Sequence, residues 1–111
     1  MNQKDIRLDL LRKIELNPEY TQRELSKEMG VSLGKVNYCI KKLTERGFLK
    51  LTNFSHSSNK MVYTYLLTPQ GIEQKARLTT LFLKRKIEEF EILRGEISKL
   101  KLDVEEMANE K

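Results

Sequence analysis

Four helix signals fall inside residues 21–47 and leave the chain little choice there. Thr21-Gln22-Arg23-Glu24 reads as a capping box: the Thr21 hydroxyl can accept from the backbone N–H of Glu24, and the Glu24 carboxylate can reach back to that of Thr21. Gly30 stands where a helix of about residues 22–29 would need a left-handed residue to end it. Ser32 can cap a second helix of about 33–46, and Gly47 closes that one. Leu25 and Met29 give the first of these helices an apolar ridge. Two short helices joined by a three- or four-residue turn containing Gly describe a helix-turn-helix.

The second helix has two chemically distinct faces. Val36, Cys39, Ile40 and Leu43 cluster on one side at helical spacing, which marks a core face. The other side carries Gly34, Tyr38, Lys41 and Glu45, flanked by Asn37 and Lys42, with Ser32 and Lys35 at the N-terminal end. Asn can bond adenine edges, Lys can bond guanine or phosphate, and Tyr and Ser can bond phosphate oxygens. Gly34 is a poor helix former, and an outward Gly suits a surface that another molecule must approach closely. An ordinary solvated face would mix charge signs more evenly. Within residues 31–60 there are six basic residues (Lys35, Lys41, Lys42, Arg46, Lys50, Lys60) against one acidic residue, Glu45. Residues 1–71 carry the whole net charge of +5, and residues 72–111 are balanced. A concentrated basic face suits a polyanion; a balanced segment suits protein contact.

The flanking elements support this helix pair. Ile6, Leu10, Leu11 and Ile14 recur on one face of a helix over about 3–16, with Asp5 and Asp9 near its start and Arg12 and Lys13 near its end, as the helix dipole favours. Asn17-Pro18 stops it, because proline disfavours helical geometry in the preceding residue. After Gly47, residues 48–54 and 61–68 are rich in β-branched and aromatic residues, and the six between them, 55–60, are turn formers. The pair predicts a hairpin that must pack on the helices. Its tip, with Lys60, His56 and Asn59, could lie on phosphates or enter a minor groove.

Thr68-Pro69 opens a last helix, since Thr can cap and proline is favoured at the first helical position. Beyond Gly71, Gly95 is the only Gly and no Pro follows, so the helix should run to about Met107. At roughly 39 residues it would be about 58 Å long, too long to pack along its whole length on so small a domain. Ala76, Leu83, Phe90, Ile97 and Val104 form one heptad register, and Ile72, Thr79, Lys86, Leu93, Leu100 and Met107 the other. Thr79 and Lys86 weaken the middle; Leu78, Leu81, Phe82 and Ile87 there are expected to pack on the first helix or on a partner's domain. In a parallel pair, Glu89 meets Arg94 and Glu96 meets Lys101, both attractive, whereas an antiparallel pair sets like charges together.

Other function classes find little support. No apolar run approaches the roughly 20 residues a membrane span needs, and the first residues show no signal-peptide core, so no membrane partner and a cytoplasmic location are expected. Cys39 is the only cysteine and His56 the only histidine. One sits on a core face and the other in a loop, with no carboxylate pair, phosphate loop or metal-ligand spacing nearby. Catalysis, a metal and a cofactor are therefore not expected.

The helix-turn-helix, the hairpin and the segment Leu67-Thr68-Pro69-Gln70-Gly71 leading into a dimerising helix resemble the MarR-type winged-helix regulators. Val31-Ser32-Leu33-Gly34-Lys35-Val36-Asn37-Tyr38-Cys39, then Asn59-Lys60, Tyr63-Thr64-Tyr65-Leu66-Leu67-Thr68-Pro69 and Lys75-Ala76-Arg77-Leu78-Thr79, resemble the short bacterial group called EPS-associated MarR-type transcriptional regulators. The resemblance covers roughly residues 4–100. It implies a DNA-binding dimer linked to extracellular polysaccharide loci. The chain lacks the extra helices that surround the ligand pocket of typical MarR proteins, so no small-molecule effector is expected.

The expected fold is mainly α, an α+β winged helix-turn-helix with a long C-terminal coiled-coil dimerisation helix. Its domains would be a DNA-binding domain over 1–70 and a dimerisation helix over 71–108. The expected function is sequence-specific binding of double-stranded DNA as a homodimer joined by a parallel coiled coil. Ser32, Lys35, Asn37, Tyr38, Lys41, Lys42 and Lys60 would contact DNA, and Leu83, Phe90, Leu93, Ile97, Leu100 and Val104 would join the two copies. The rival is a protein-interaction adaptor that docks a different partner through the long helix; it has no need of a basic recognition face.

Overall fold

The computed structural model describes the backbone of residues 2–57 and 60–110, and side chains outside 53–63. Elements follow in the order α1 (Gln3–Leu16), α2 (Gln22–Met29), α3 (Leu33–Glu45), β1 (Leu49–Ser57), β2 (Lys60–Leu67) and α4 (Pro69–Asn109). The chain divides into two units, Met1–Thr79 and Thr80–Lys111.

In the first unit the helix boundaries follow from side-chain chemistry. Asn2 caps α1, its side chain accepting from the Asp5 N–H at 2.9 Å. Thr21 and Glu24 form the expected capping box at the start of α2, with bonds of 3.1 and 3.2 Å. Gly30 ends α2 at φ +66, a left-handed conformation that costs Gly nothing and a branched residue a good deal. The Ser32 hydroxyl accepts from the Lys35 N–H at 3.1 Å and starts α3.

The core of this unit is helical. α1 contributes Ile6, Leu10, Leu11 and Ile14, α2 contributes Leu25 and Met29, and α3 contributes Val36, Cys39, Ile40 and Leu43. Leu8 is also buried, although it lies off the α1 stripe; α1 is covered on more than one side because it adjoins α2, α3 and β2. Leu49 of β1 and Leu78 of α4 complete the core. Full burial of each such side chain contributes about 1.5–3 kcal/mol.

β1 and β2 form one antiparallel pair in which Leu49 faces Leu67 and Ser57 faces Lys60, with a bulge between Thr52 and Ser55. The ladder therefore runs through Ser55, His56 and Ser57, which the sequence assigns to a six-residue turn. An antiparallel ladder is held by backbone groups and accepts polar residues as long as those groups pair. Asn59 lies outside the described residues, as do the side chains of His56 and Lys60.

Two backbone junctions fix where the hairpin and α4 leave α3. The Thr68 N–H donates to the Phe48 carbonyl at 3.1 Å, and the Thr68 hydroxyl donates to the Gly47 carbonyl. The same hydroxyl caps α4 by accepting from the Gly71 N–H at 3.0 Å. Gly71 lies directly against this junction: a Cβ there would overlap the Phe48 carbonyl oxygen. Lys75 pairs with Glu15 and ties the first turns of α4 to α1.

The second unit is helix alone. α4 is 41 residues long, about 60 Å. Phe90, Leu93, Ile97, Leu100, Val104 and Met107 recur along it at alternating three- and four-residue steps, Leu83 stands seven residues before Phe90, and all are exposed. Phe82 is half-buried beneath Arg85 and Lys86, whose charged heads each lie 5.2 Å from its ring centre. Of the four apolar residues expected to pack, Leu78 is buried, while Leu81 and Ile87 are exposed. Among the described residues no helix is long and apolar enough to cross a membrane.

Candidate nucleic-acid interface

α3 is anchored by its buried face, and this decides what its other face presents. Asn37, Tyr38 and Lys41 are exposed, Lys35 and Lys42 are half-exposed, and Ser32 stands exposed at the helix start. Ser32 spends an oxygen lone pair on the cap but keeps its O–H free to donate. Lys42 leans over the Tyr38 ring, 5.8 Å from its centre, and pairs with Glu45 at 3.5 Å. Both partners of that ion pair are largely exposed, so water and salt screen it and the ammonium can turn to another anion at little cost. A Cβ built on Gly34 meets nothing within 4 Å, so the start of α3 is bare.

Asn37 is not a free side chain. Its Nδ2 donates to the Oε1 of Gln22 at 3.1 Å, linking the middle of α3 to the first turn of α2. Gln22 and Asn37 line a hollow together with Ile40, Lys41, Thr44 and Glu45 of α3 and Leu51 and Tyr65 of the hairpin. Gln22 escapes the sequence reading because it belongs to the preceding helix. The available signal is its position: the residue after the Thr21 cap points toward the neighbouring helix of a helix-turn-helix. Nearby, the Tyr20 phenol is held above its ordinary pKa, chiefly by its hydrogen bond to the Glu28 carboxylate and then by burial and the charges of Glu28 and Glu24. Among the described residues no cluster of His, Cys, Asp and Glu could hold a metal ion.

Residues 3–50 match a family model described as winged helix-turn-helix DNA-binding. The fold is a winged helix-turn-helix. In this winged helix the β1–β2 hairpin is the wing. No curated protein matches the chain in sequence. Solved structures similar to it include several MarR-family regulators. A mutant of S. aureus MepR bound to an oligodeoxyribonucleotide is 16% identical with a TM-score of 0.61, over 94% of this chain and 79% of that one. Sso10a-2, a DNA-binding protein from Sulfolobus solfataricus, is 16% identical with a TM-score of 0.62, over 90% and 96%. A MarR-family protein of Mycobacterium tuberculosis, in complex with p-aminosalicylic acid, is 18% identical with a TM-score of 0.59 over 75% of this chain. This chain spans only 61% of the length of that last protein.

The residues expected to join two copies all lie on α4. Leu83, Phe90, Leu93, Ile97, Leu100 and Val104 are exposed there, and Ile97, Leu100 and Val104 line a shallow apolar hollow flanked by Lys101 and Glu105. Glu89 pairs within its own helix with Arg85 at 3.6 Å and Lys86 at 3.1 Å, and Arg94 pairs with Glu91 at 3.4 Å. An interhelical Glu89–Arg94 pair would replace these contacts, so its net contribution is a few tenths of a kcal/mol at most.

Proposed function

We propose that this chain is a sequence-specific transcriptional regulator that binds double-stranded DNA as a homodimer. The observation that carries the reading is α3, whose apolar face is fully buried while Asn37, Tyr38, Lys41 and their basic neighbours face outward. A helix of that width fits a major groove, where side chains near its N-terminal end reach base edges. Lys35, Asn37 and Lys41 would meet bases and phosphates, Ser32 and Tyr38 phosphates, and Lys42 and Lys60 the backbone. One helix and one wing make too few contacts for strong selectivity. Two copies joined through the stripe of α4 in a parallel coiled coil would place a second α3 about one turn (~34 Å) along the duplex. The link to extracellular polysaccharide genes rests on the sequence resemblance of 31–39, 59–60, 63–69 and 75–79 to regulators of that name.

Selection of bound fragments from random duplex DNA tests this reading. A two-fold symmetric motif with half-sites one turn apart is the expected result, and its affinity should fall steeply with salt as counterions are released. Weak binding without sequence preference would sink it. A second reading, an adaptor that docks a different protein through α4, draws on the same bare stripe. Light scattering separates them: a regulator of this kind has twice the chain mass in isolation, an adaptor awaiting its partner the single mass.

A further inference from the structure

We propose that Gln22 and Asn37 form one reading unit, in which Gln22 positions the Asn37 carboxamide to accept an adenine. This rests on α3 entering a major groove, and it names the base that one side chain selects. The terminal torsion of Asn has two broad orientations that exchange Oδ1 and Nδ2. Only one of them suits adenine, whose major-groove edge offers an amino donor beside the N7 acceptor. Guanine offers two acceptors there, so a freely turning Asn can move its Nδ2 toward them while a held one cannot. The bond from Nδ2 to the Gln22 Oε1, at 3.1 Å, selects one orientation for as long as the Gln22 carboxamide keeps its own, since turning both together would exchange donor and acceptor. It consumes one of the two Nδ2 hydrogens and leaves the other hydrogen and both Oδ1 lone pairs, a donor and an acceptor side by side.

The Gln22 backbone is itself held in place. It is the first residue of α2, and the Thr21–Glu24 capping box pins the backbone around it on both sides. Lys41 stands one turn beyond Asn37 on the rim of the same hollow, where it can neutralise a phosphate beside the selected base.

The test uses the full chain. Duplex selection is run on the unaltered protein, Asn37→Ala, Gln22→Ala and Gln22→Glu, followed by equilibrium binding to the selected duplex and to its A-to-G substitution at each position. The unaltered protein should prefer adenine at one position per half-site by about 5- to 150-fold, the range of a good bidentate contact. Asn37→Ala should erase that preference. Gln22→Ala should reduce it to about threefold or less at the same position and leave every other position unchanged. Gln22→Glu keeps an acceptor for Nδ2, so it should retain the preference while its negative charge weakens binding to all sequences alike. A merely structural role for Gln22 would spread its effect over all positions.

If Gln22→Ala leaves the adenine preference intact, or if Gln22→Glu abolishes it, the pairing is overturned while DNA reading by α3 stands. If the unaltered protein selects no motif, both fall together. Should Gln22→Ala fail to fold by circular dichroism, Gln22→Met, which keeps the chain length and removes the acceptor, takes its place with the same expected loss.

Discussion

Leu10 in α1 has no exposed surface, whereas Leu100 in α4 keeps 61% of its surface in solvent. The two side chains are chemically identical and both sit in regular helix. What differs is company: α1 adjoins three other elements, while the unit beyond Thr79 consists of one helix. The first unit thus completes a core from its own residues. The second carries the apolar pattern of a core and lacks its other half. A stripe of seven large apolar residues left bare is the kind of surface that marks an interaction site, and the three-and-four spacing from Phe90 onward is the spacing of a coiled-coil seam.

The contrast can be broken within the stripe. Ile97→Asp with Leu100→Asp should halve the mass seen by light scattering and lower DNA affinity by about 10²–10⁴-fold, the avidity that linking two modules supplies. The first unit should stay folded by near-native circular dichroism of its helices and sheet. An unchanged mass would show that the stripe does not join two copies.

The opposite side of the contrast is tested by Leu10→Ala, which should cost about 2–5 kcal/mol in denaturant unfolding, because a fully buried Leu leaves a cavity. The same change at Leu83, exposed on α4, should cost far less in a monomeric background. Gly71→Ala comes next. Its Cβ would press on the Phe48 carbonyl, so about 1–3 kcal/mol should be lost as the junction between hairpin and helix gives way. Urea midpoints with unchanged slopes would confirm that stability alone is altered.

The smallest effect is the most selective. Gly34→Ala meets no neighbour and removes a poor helix former from α3, so it should stabilise the protein by up to about 1 kcal/mol. If a DNA surface lies close to this point, the same change should weaken binding. Greater stability with unaltered affinity would place the DNA elsewhere.

Much of the first unit is legible in its punctuation. Thr21, Glu24, Gly30 and Ser32 each act on backbone groups within a few residues of themselves, so local sequence is enough to read them. The core faces of α1 and α3 follow from helical period for the same reason. Leu8 is missed because its burial depends on elements far along the chain, which periodicity in one helix cannot report. The first wing strand is longer than its apolar content suggests, since pairing of backbone groups extends it through polar residues.

The candidate site divides along the same line. That Asn37 and Lys41 face away from the core is fixed by their spacing from Val36, Ile40 and Leu43. That Asn37 is held by Gln22, fifteen residues earlier, is set by how α2 packs on α3. Gly71 is the plainest case. As a residue in sequence it looks like an indifferent place in the first turn of a helix. Only the packing of α4 against the Gly47–Phe48 backbone makes it the one side-chain size that fits. Sequence by itself determined where each helix starts and stops and which face is apolar, because those rest on contacts within one turn. Tertiary structure decided which polar residues meet and where no side chain can be added, because those depend on the distances between elements that the chain brings together from afar.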